Sequence, residues 1–159
     1  MASNSTCTTE APDAISLLNS VRQDWAKPVT QESIERACKR NGIRLLVLFG
    51  SLAKGRTHSE SDVDVGYLLE PNRRPGLLRL YGQLAPALGT ERLDLVRMRD
   101  ALPLLAINIA TSGKVIYATD KADWTSYAVH AMQEWDDVRK FEPFRLVELD
   151  RSLRNWGIA

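Results

Sequence analysis

Residues 43–50, Ile-Arg-Leu-Leu-Val-Leu-Phe-Gly, form a near-continuous apolar run that stops abruptly at Gly50-Ser51. A short run of this kind, rich in branched side chains, reads as a strand buried on both faces, as in a sheet covered by helices. The chain must therefore supply helices for both faces. The flanking segments do so. A helical pattern starts at Asp13, with Ile15, Leu17, Leu18 and Val21 near the helical period, and Pro28 is expected to end it. Thr30, followed by Glu32 and Glu35, opens a second helix that Asn41-Gly42 stops. DVDVGYLLE (62–70) and RLDLVRM (92–98) read as further strands, and KVIYA (114–118) as a candidate short one. Residues 77–88, 100–112 and 121–140 read as helices, although Gly82 and Pro86 speak against the first of these. The expected class is α/β, one sheet with helices packed on it.

Length and charge set the outer limits. A chain of 159 residues suits one domain with an appended tail. With 21 basic and 20 acidic residues, a formal charge of +1 argues against a nucleic-acid coat or a polybasic membrane anchor. Two cysteines, Cys7 and Cys38, make neither a disulfide framework nor a zinc motif. The longest apolar stretch, Ala101 to Ala110, falls far short of the roughly 20 residues of a membrane helix. The N-terminus has no basic region followed by an apolar core, so a cytoplasmic location is expected. The expected organisation is a flexible tail over 1–12, a domain over 13–120, and a C-terminal helix and tail over 121–159 that could bind a partner.

The polar residues at the strand ends carry the chemistry. A buried strand that turns at Gly50-Ser51 into a short helix presents backbone N–H groups of the kind that bind phosphate, although most such turns are only capped helix starts. Asp62 and Asp64, two apart on a strand, leave the same face with Cα atoms roughly 6.7 Å apart. A solvent-facing edge strand has the same pattern. Yet Asp is depleted in strands, and two carboxylates on one face repel unless a cation relieves them. Magnesium, which takes one or two carboxylates plus phosphate oxygens, is the simplest such cation. Asp94 alternates with Leu93 and Leu95. Alone it reads as solvent-facing. On a strand beside Asp64 it completes a three-carboxylate set able to hold two ions, which would clamp a phosphoryl displacement.

Gly50-Ser51, ten intervening residues, Asp62-x-Asp64 and a further strand Asp94 together resemble the signature of the polymerase-β-type nucleotidyltransferase superfamily. LFGSLAKGRTHSESDVDVGYLL (48–69) is similar to its small bacterial members, the minimal nucleotidyltransferases, and Gly55 and Ser61 fit the same pattern. The resemblance covers roughly residues 31–118 and implies a small mixed sheet with helices packed on it. It implies that Gly50 and Ser51 bind the β- and γ-phosphates of ATP, with Ser61 in the same nucleotide-binding set. It also implies that Asp62 and Asp64 ligate Mg2+, and that Asp94 ligates a second Mg2+ and helps deprotonate the acceptor hydroxyl. Of the loop cations Lys54, Arg56 and His58, Lys54, one turn after Gly50, is the expected triphosphate contact, whereas His58 reads as a solvated loop residue. Arg73, Arg74, Arg92, Arg97 and Arg99 read mostly as surface charge.

The small size resembles the antitoxin half of HEPN–MNT toxin–antitoxin systems, and KVIYATDKADWTSYAVHAMQEWDDVRKF (114–141) is similar to their C-terminal region. That resemblance implies a HEPN-type ribonuclease toxin as partner in a hetero-oligomer, with AMP transferred from ATP to a toxin tyrosine. The extension before residue 31 departs from the shortest members. Two other classes stay open here. One is a small-molecule, aminoglycoside-type nucleotidyltransferase with an acidic acceptor pocket from Glu134, Asp136 and Asp137. The other is a module that masks a toxin without catalysis. No direct nucleic-acid or membrane binding is expected.

Overall fold

The computed structural model describes residues 11–56 and 62–155. The elements run α1 (Ala11–Ser20), α2 (Gln31–Asn41), β1 (Ile43–Phe49), α3 (Gly50–Ala53), β2 (Val63–Leu69), α4 (Leu77–Leu88), β3 (Leu93–Arg97), α5 (Pro103–Ser112), β4 (Lys114–Ala118) and α6 (Lys121–Asn155). A single 3-10 turn, Met98–Asp100, follows β3. The sheet order is β3-β2-β1-β4. β1 pairs antiparallel with β2 and with β4, whereas β2 and β3 pair in parallel across α4. The sheet is therefore mixed, with the apolar run at its centre.

Every side chain of β1 except Arg44 is buried. Leu46 and Leu48 enter one core with Leu18, Ile34, Leu80 and Leu84 from α1, α2 and α4. Leu45, Val47 and Phe49 enter a second core with Met98, Ile109 and, less deeply, Trp124 and Tyr127. A register shift between Ile43 and Leu45 puts Ile43 on the side of Leu46 and Leu48, since one extra residue reverses the alternation. Two apolar faces on one strand explain why its sequence does not alternate.

The helix starts follow side-chain chemistry. Thr30 caps α2 by accepting the Ser33 N–H at 3.2 Å, and the Ser33 hydroxyl accepts the Thr30 N–H at 3.3 Å. The reciprocal pair is thus made by Ser33, not by a glutamate. Two expectations are corrected. The first helix ends at Ser20, well before Pro28, because Asn19 closes the following turn: its amide donates to Val29 O at 3.1 Å and accepts from Val29 N at 2.9 Å. α6 does not stop near residue 140 but runs to Asn155. Pro143 would ordinarily break it, but residues 139–154 are rich in Arg, Glu and Leu, strong helix formers that favour continuation. The expected tail over residues 1–12 lies almost wholly outside the described residues. Among the described residues no helix is long and apolar enough to cross a membrane.

Residues 77–88 are helical despite Gly82 and Pro86. A β-carbon added at Gly82 would meet nothing within 4 Å. Gly82→Ala is therefore expected to stabilise the protein by about 0.5–1 kcal/mol, from helix propensity alone. Urea unfolding checks this, and a lower midpoint would mean that Gly82 has a packing role.

Candidate active site

Phe49 ends β1, and Gly50 turns the chain at φ 74°, a left-handed conformation that favours glycine. Space demands glycine as well. A β-carbon here would lie 2.9 Å from Asp64 Cγ and collide with its Oδ2. Gly50 and Asp64 are thus fitted to each other. The helix that follows is one turn long and is held by the buried Leu52 and Ala53, while Ser51 stays exposed. Lys54 sits exposed at its end and makes no ion pair among the described residues. Ser61 and His58 lie outside the described residues.

Asp64 is the second residue of β2 and is half-buried, whereas Asp62 precedes the strand and is exposed. Val63 and Val65 point into the first core and are fully buried. They fix which face Asp64 takes. In the parallel pairing of β2 with β3, Asp64 stands directly opposite Asp94, and in the antiparallel pairing with β1 it stands opposite Phe49. The strand adjacency on which a three-carboxylate set depends is therefore present. Its electrostatic mark is on Asp64, whose carboxyl is pushed above its ordinary range by burial first, then by Asp94, then by Asp62.

The donors are hard oxygens around one half-buried carboxylate, the chemistry that a divalent cation relieves. Among the described residues no three such groups are drawn into a ready-made metal cage. Magnesium takes one or two carboxylates and keeps waters and phosphate oxygens in the rest of its coordination sphere. The residues fit an ion that arrives with a triphosphate.

A pH prediction follows. Asp64 binds its proton more tightly folded than unfolded. Its stability contribution is therefore full below the unfolded carboxylate value of about 4 and is lost as pH rises through the elevated folded value. With a chelator present, Asp64→Asn should melt above wild type at neutral pH, and the gap should close on acidification towards about pH 4. Thermal unfolding across that range checks the sign. A neutral-pH Tm below wild type would contradict it.

The acidic pocket that the small-molecule alternative requires is not seen among the described residues. Glu134 lines a cavity, but so do Arg44, Arg73, Arg74, Arg97 and Arg99, against Glu70 and Asp123 as the other carboxylates. Asp136 and Asp137 are exposed, and Asp137 pairs with Lys140 at 3.0 Å. Arg44, which also lines this cavity, belongs to no sequence motif. The available signal was an arginine interrupting a buried strand, held here by Asp123 of α6 at 2.9 Å.

Comparison with known proteins agrees with this geometry. The family model described as polymerase beta, nucleotidyltransferase matches residues 32–122. Protein adenylyltransferase MntA of Aphanizomenon flos-aquae is 24% identical over 130 residues, covering 73% of this chain and 84% of that protein. Protein adenylyltransferase MntA of Shewanella oneidensis is 34% identical over 83 residues, covering 51% and 58%. Among solved structures, a toxin–antitoxin complex with AMP-PNP contains a chain of TM-score 0.62 and 25% identity, covering 76% of this chain and 98% of that one. A chain from the complex of tri-AMPylated Shewanella oneidensis HEPN toxin with MNT antitoxin shares the fold, with TM-score 0.56, 22% identity, and 75% and 94% coverage. The family match spans more than half the chain and includes the Gly-Ser turn and all three aspartates, so this chain belongs to the polymerase β nucleotidyltransferase family.

Proposed function

We propose that this chain is an antitoxin that transfers AMP from ATP to a tyrosine of a cognate HEPN-type toxin and thereby neutralises it. The observation that carries this reading is the placement of Asp64 beside Asp94, with Gly50 closed against it, in a chain whose relatives are named protein adenylyltransferases. The AMP-PNP and tri-AMPylated toxin complexes support ATP as the donor and a HEPN toxin as the acceptor.

In this reading the backbone N–H groups at Gly50 and Ser51, with the Ser51 hydroxyl, hold the β- and γ-phosphates, and Lys54 and Ser61 assist. Asp62 and Asp64 would hold one magnesium ion and Asp94 would contribute to a second. Such ions would supply positive charge against the triphosphate and lower the pKa of the acceptor hydroxyl. The tyrosine oxygen attacks the α-phosphorus in line. A new oxygen–phosphorus bond forms as the bond to the α,β-bridging oxygen breaks, and pyrophosphate leaves with the electron pair. Asp94 takes the tyrosine proton. Positioning and charge do the rest, since this chemistry needs no covalent enzyme intermediate.

Residues 13–120 form the nucleotidyltransferase domain in this reading, and residues 121–159 the toxin-binding region. The first turns of α6 also help build the domain's second core through Trp124 and Tyr127. Val129 and Met132, large apolar residues about half exposed on the same helix, support a partner surface. Use of ATP as the donor supports a cytoplasmic location.

The test is incubation of the protein, ATP and magnesium with a candidate HEPN-type toxin, read by intact mass. A gain of one AMP or a whole multiple on that protein is expected. No gain, with pyrophosphate released only when small hydroxylated compounds are added, would overturn the assignment of a protein acceptor. No transfer with a tight complex would leave the masking module.

A further inference from the structure

The arginine-bearing cavity measures about 590 Å³. It lies on the sheet face that carries Asp64 and Asp94, but at the opposite ends of β2 and β3. Met98 and Ile109 stand between. The Met98 Cγ and Sδ lie 2.8 and 3.0 Å from where a Gly66 β-carbon would be, and Ile109 Cδ1 lies at 3.8 Å. Neither Asp64 nor Asp94 lines the cavity.

Its floor is apolar and buried, with Met98, Ala106 and Ala131. Its charged groups are unevenly paired. Arg44 meets Asp123 at 2.9 Å, Arg73 meets Glu70 at 3.6 Å, Arg97 meets Asp100 at 3.3 Å, and Glu134 faces His130 at 3.3 Å. Arg74 and Arg99 have no partner among the described residues. They come from two separate segments, the β2–α4 connection and the turn after β3, and reach one concavity in which Glu70 and Asp123 are already paired with arginines. Two polar atoms of lining residues, Tyr127 Oη and Arg44 Nε, are buried without a hydrogen bond among the described residues. Buried polar groups ordinarily find partners, so each such atom calls for one.

We propose that this cavity is a second ligand site, separate from the aspartates, for a phosphate-bearing ligand of mononucleotide size. Guanidinium forks match phosphate oxygens in geometry and charge. Cavities of roughly 300–1,000 Å³ hold ligands of this size, with an apolar lining and a few fixed polar groups. Inorganic phosphate or pyrophosphate would use the arginines but leave the apolar floor and the Tyr127 hydroxyl idle. This site does not depend on the transfer reaction.

The test is titration of the protein with AMP, pyrophosphate and adenosine in the presence of EDTA, by calorimetry and by intrinsic tryptophan fluorescence, to which Trp124, stacked on Tyr127 at 6.3 Å, contributes. The chelator leaves the aspartate site a cluster of carboxylates that repels phosphate. Saturable binding of AMP is expected, tighter than that of pyrophosphate or adenosine. Arg74→Ala/Arg99→Ala should weaken it about tenfold or more, since two charge-assisted contacts are lost. Both side chains are exposed, so the fold should stand; an unchanged Tm checks this. Tyr127→Phe should weaken AMP binding while keeping the ring, and Asp64→Asn should leave it unchanged. The proposal fails if AMP does not saturate, if the double variant binds normally, if Asp64→Asn abolishes binding, or if only pyrophosphate binds.

Discussion

Asp64→Asn is expected to lower AMP transfer by about 10²–10³-fold or more, in a protein that stays folded. The substitution keeps the shape and removes the charge. The neighbouring anchors of β2, Val63 and Val65, are fully buried and untouched, so the strand keeps its place. What changes is the field at one point. Asp64 alone stands directly across from Asp94 and under Gly50, and its carboxyl already carries the burden of burial and two neighbouring charges. A neutral amide there relieves that burden. It also removes the central anionic oxygen that would hold a cation against the triphosphate. Stability and activity should therefore move in opposite directions, which separates this variant from an unfolding mutant. Asp62→Asn should also lose transfer with little change in Tm, since Asp62 is exposed and outside the strand. Intact-mass assay of the toxin, beside thermal unfolding in chelator, reads both quantities. Transfer within about tenfold of wild type in Asp64→Asn would sink the role given to this carboxylate.

The parts of this site that were legible in the sequence are those written into contiguous residues. The apolar run of β1 announced a doubly covered strand, because both of its faces are paid for in hydrophobic side chains. Gly50-Ser51 and Asp62-x-Asp64 lie close in sequence, and alternation alone fixed the side on which Asp64 emerges. Asp94 was a different case. Its own strand pattern fits a solvent-facing residue equally well, and only the parallel pairing across α4 sets it opposite Asp64. That pairing is a tertiary fact which the family resemblance supplied and local pattern could not. The length of α6 was hidden by Pro143, a local signal that the rest of the helix overrides. The end of α1 was hidden because the Asn19 hydrogen bonds to Val29 span ten residues. The basic cavity was the least legible feature. Its five arginines, from Arg44 to Arg99, are scattered over two strand ends and a loop, where each looks like ordinary surface charge until the fold gathers them.

Gly50→Ala should damage both stability and transfer, and the two losses should have separable causes. The first is backbone strain. At φ 74° an alanine pays roughly 1–2 kcal/mol that glycine does not. The second is the overlap of the new β-carbon with the Asp64 carboxylate, which must move away or push the turn away. Either movement displaces the N–H groups of the Gly50-Ser51 turn, proposed above to hold phosphate, relative to Asp64. Misplacement on the order of 1 Å at such a site can cost about 10²-fold in rate. Gly55 provides the control. It has φ 71°, yet a β-carbon there would meet nothing within 4 Å. Gly55→Ala should therefore show the strain without the overlap, with a comparable first loss in Tm and a much smaller loss of transfer. A double-mutant cycle isolates the remainder. In an Asp64→Ala background the colliding carboxylate is gone, so Gly50→Ala should cost less stability than it does in wild type. If the cost is the same in both backgrounds, the close fit of Gly50 to Asp64 contributes nothing, and backbone conformation alone accounts for the glycine.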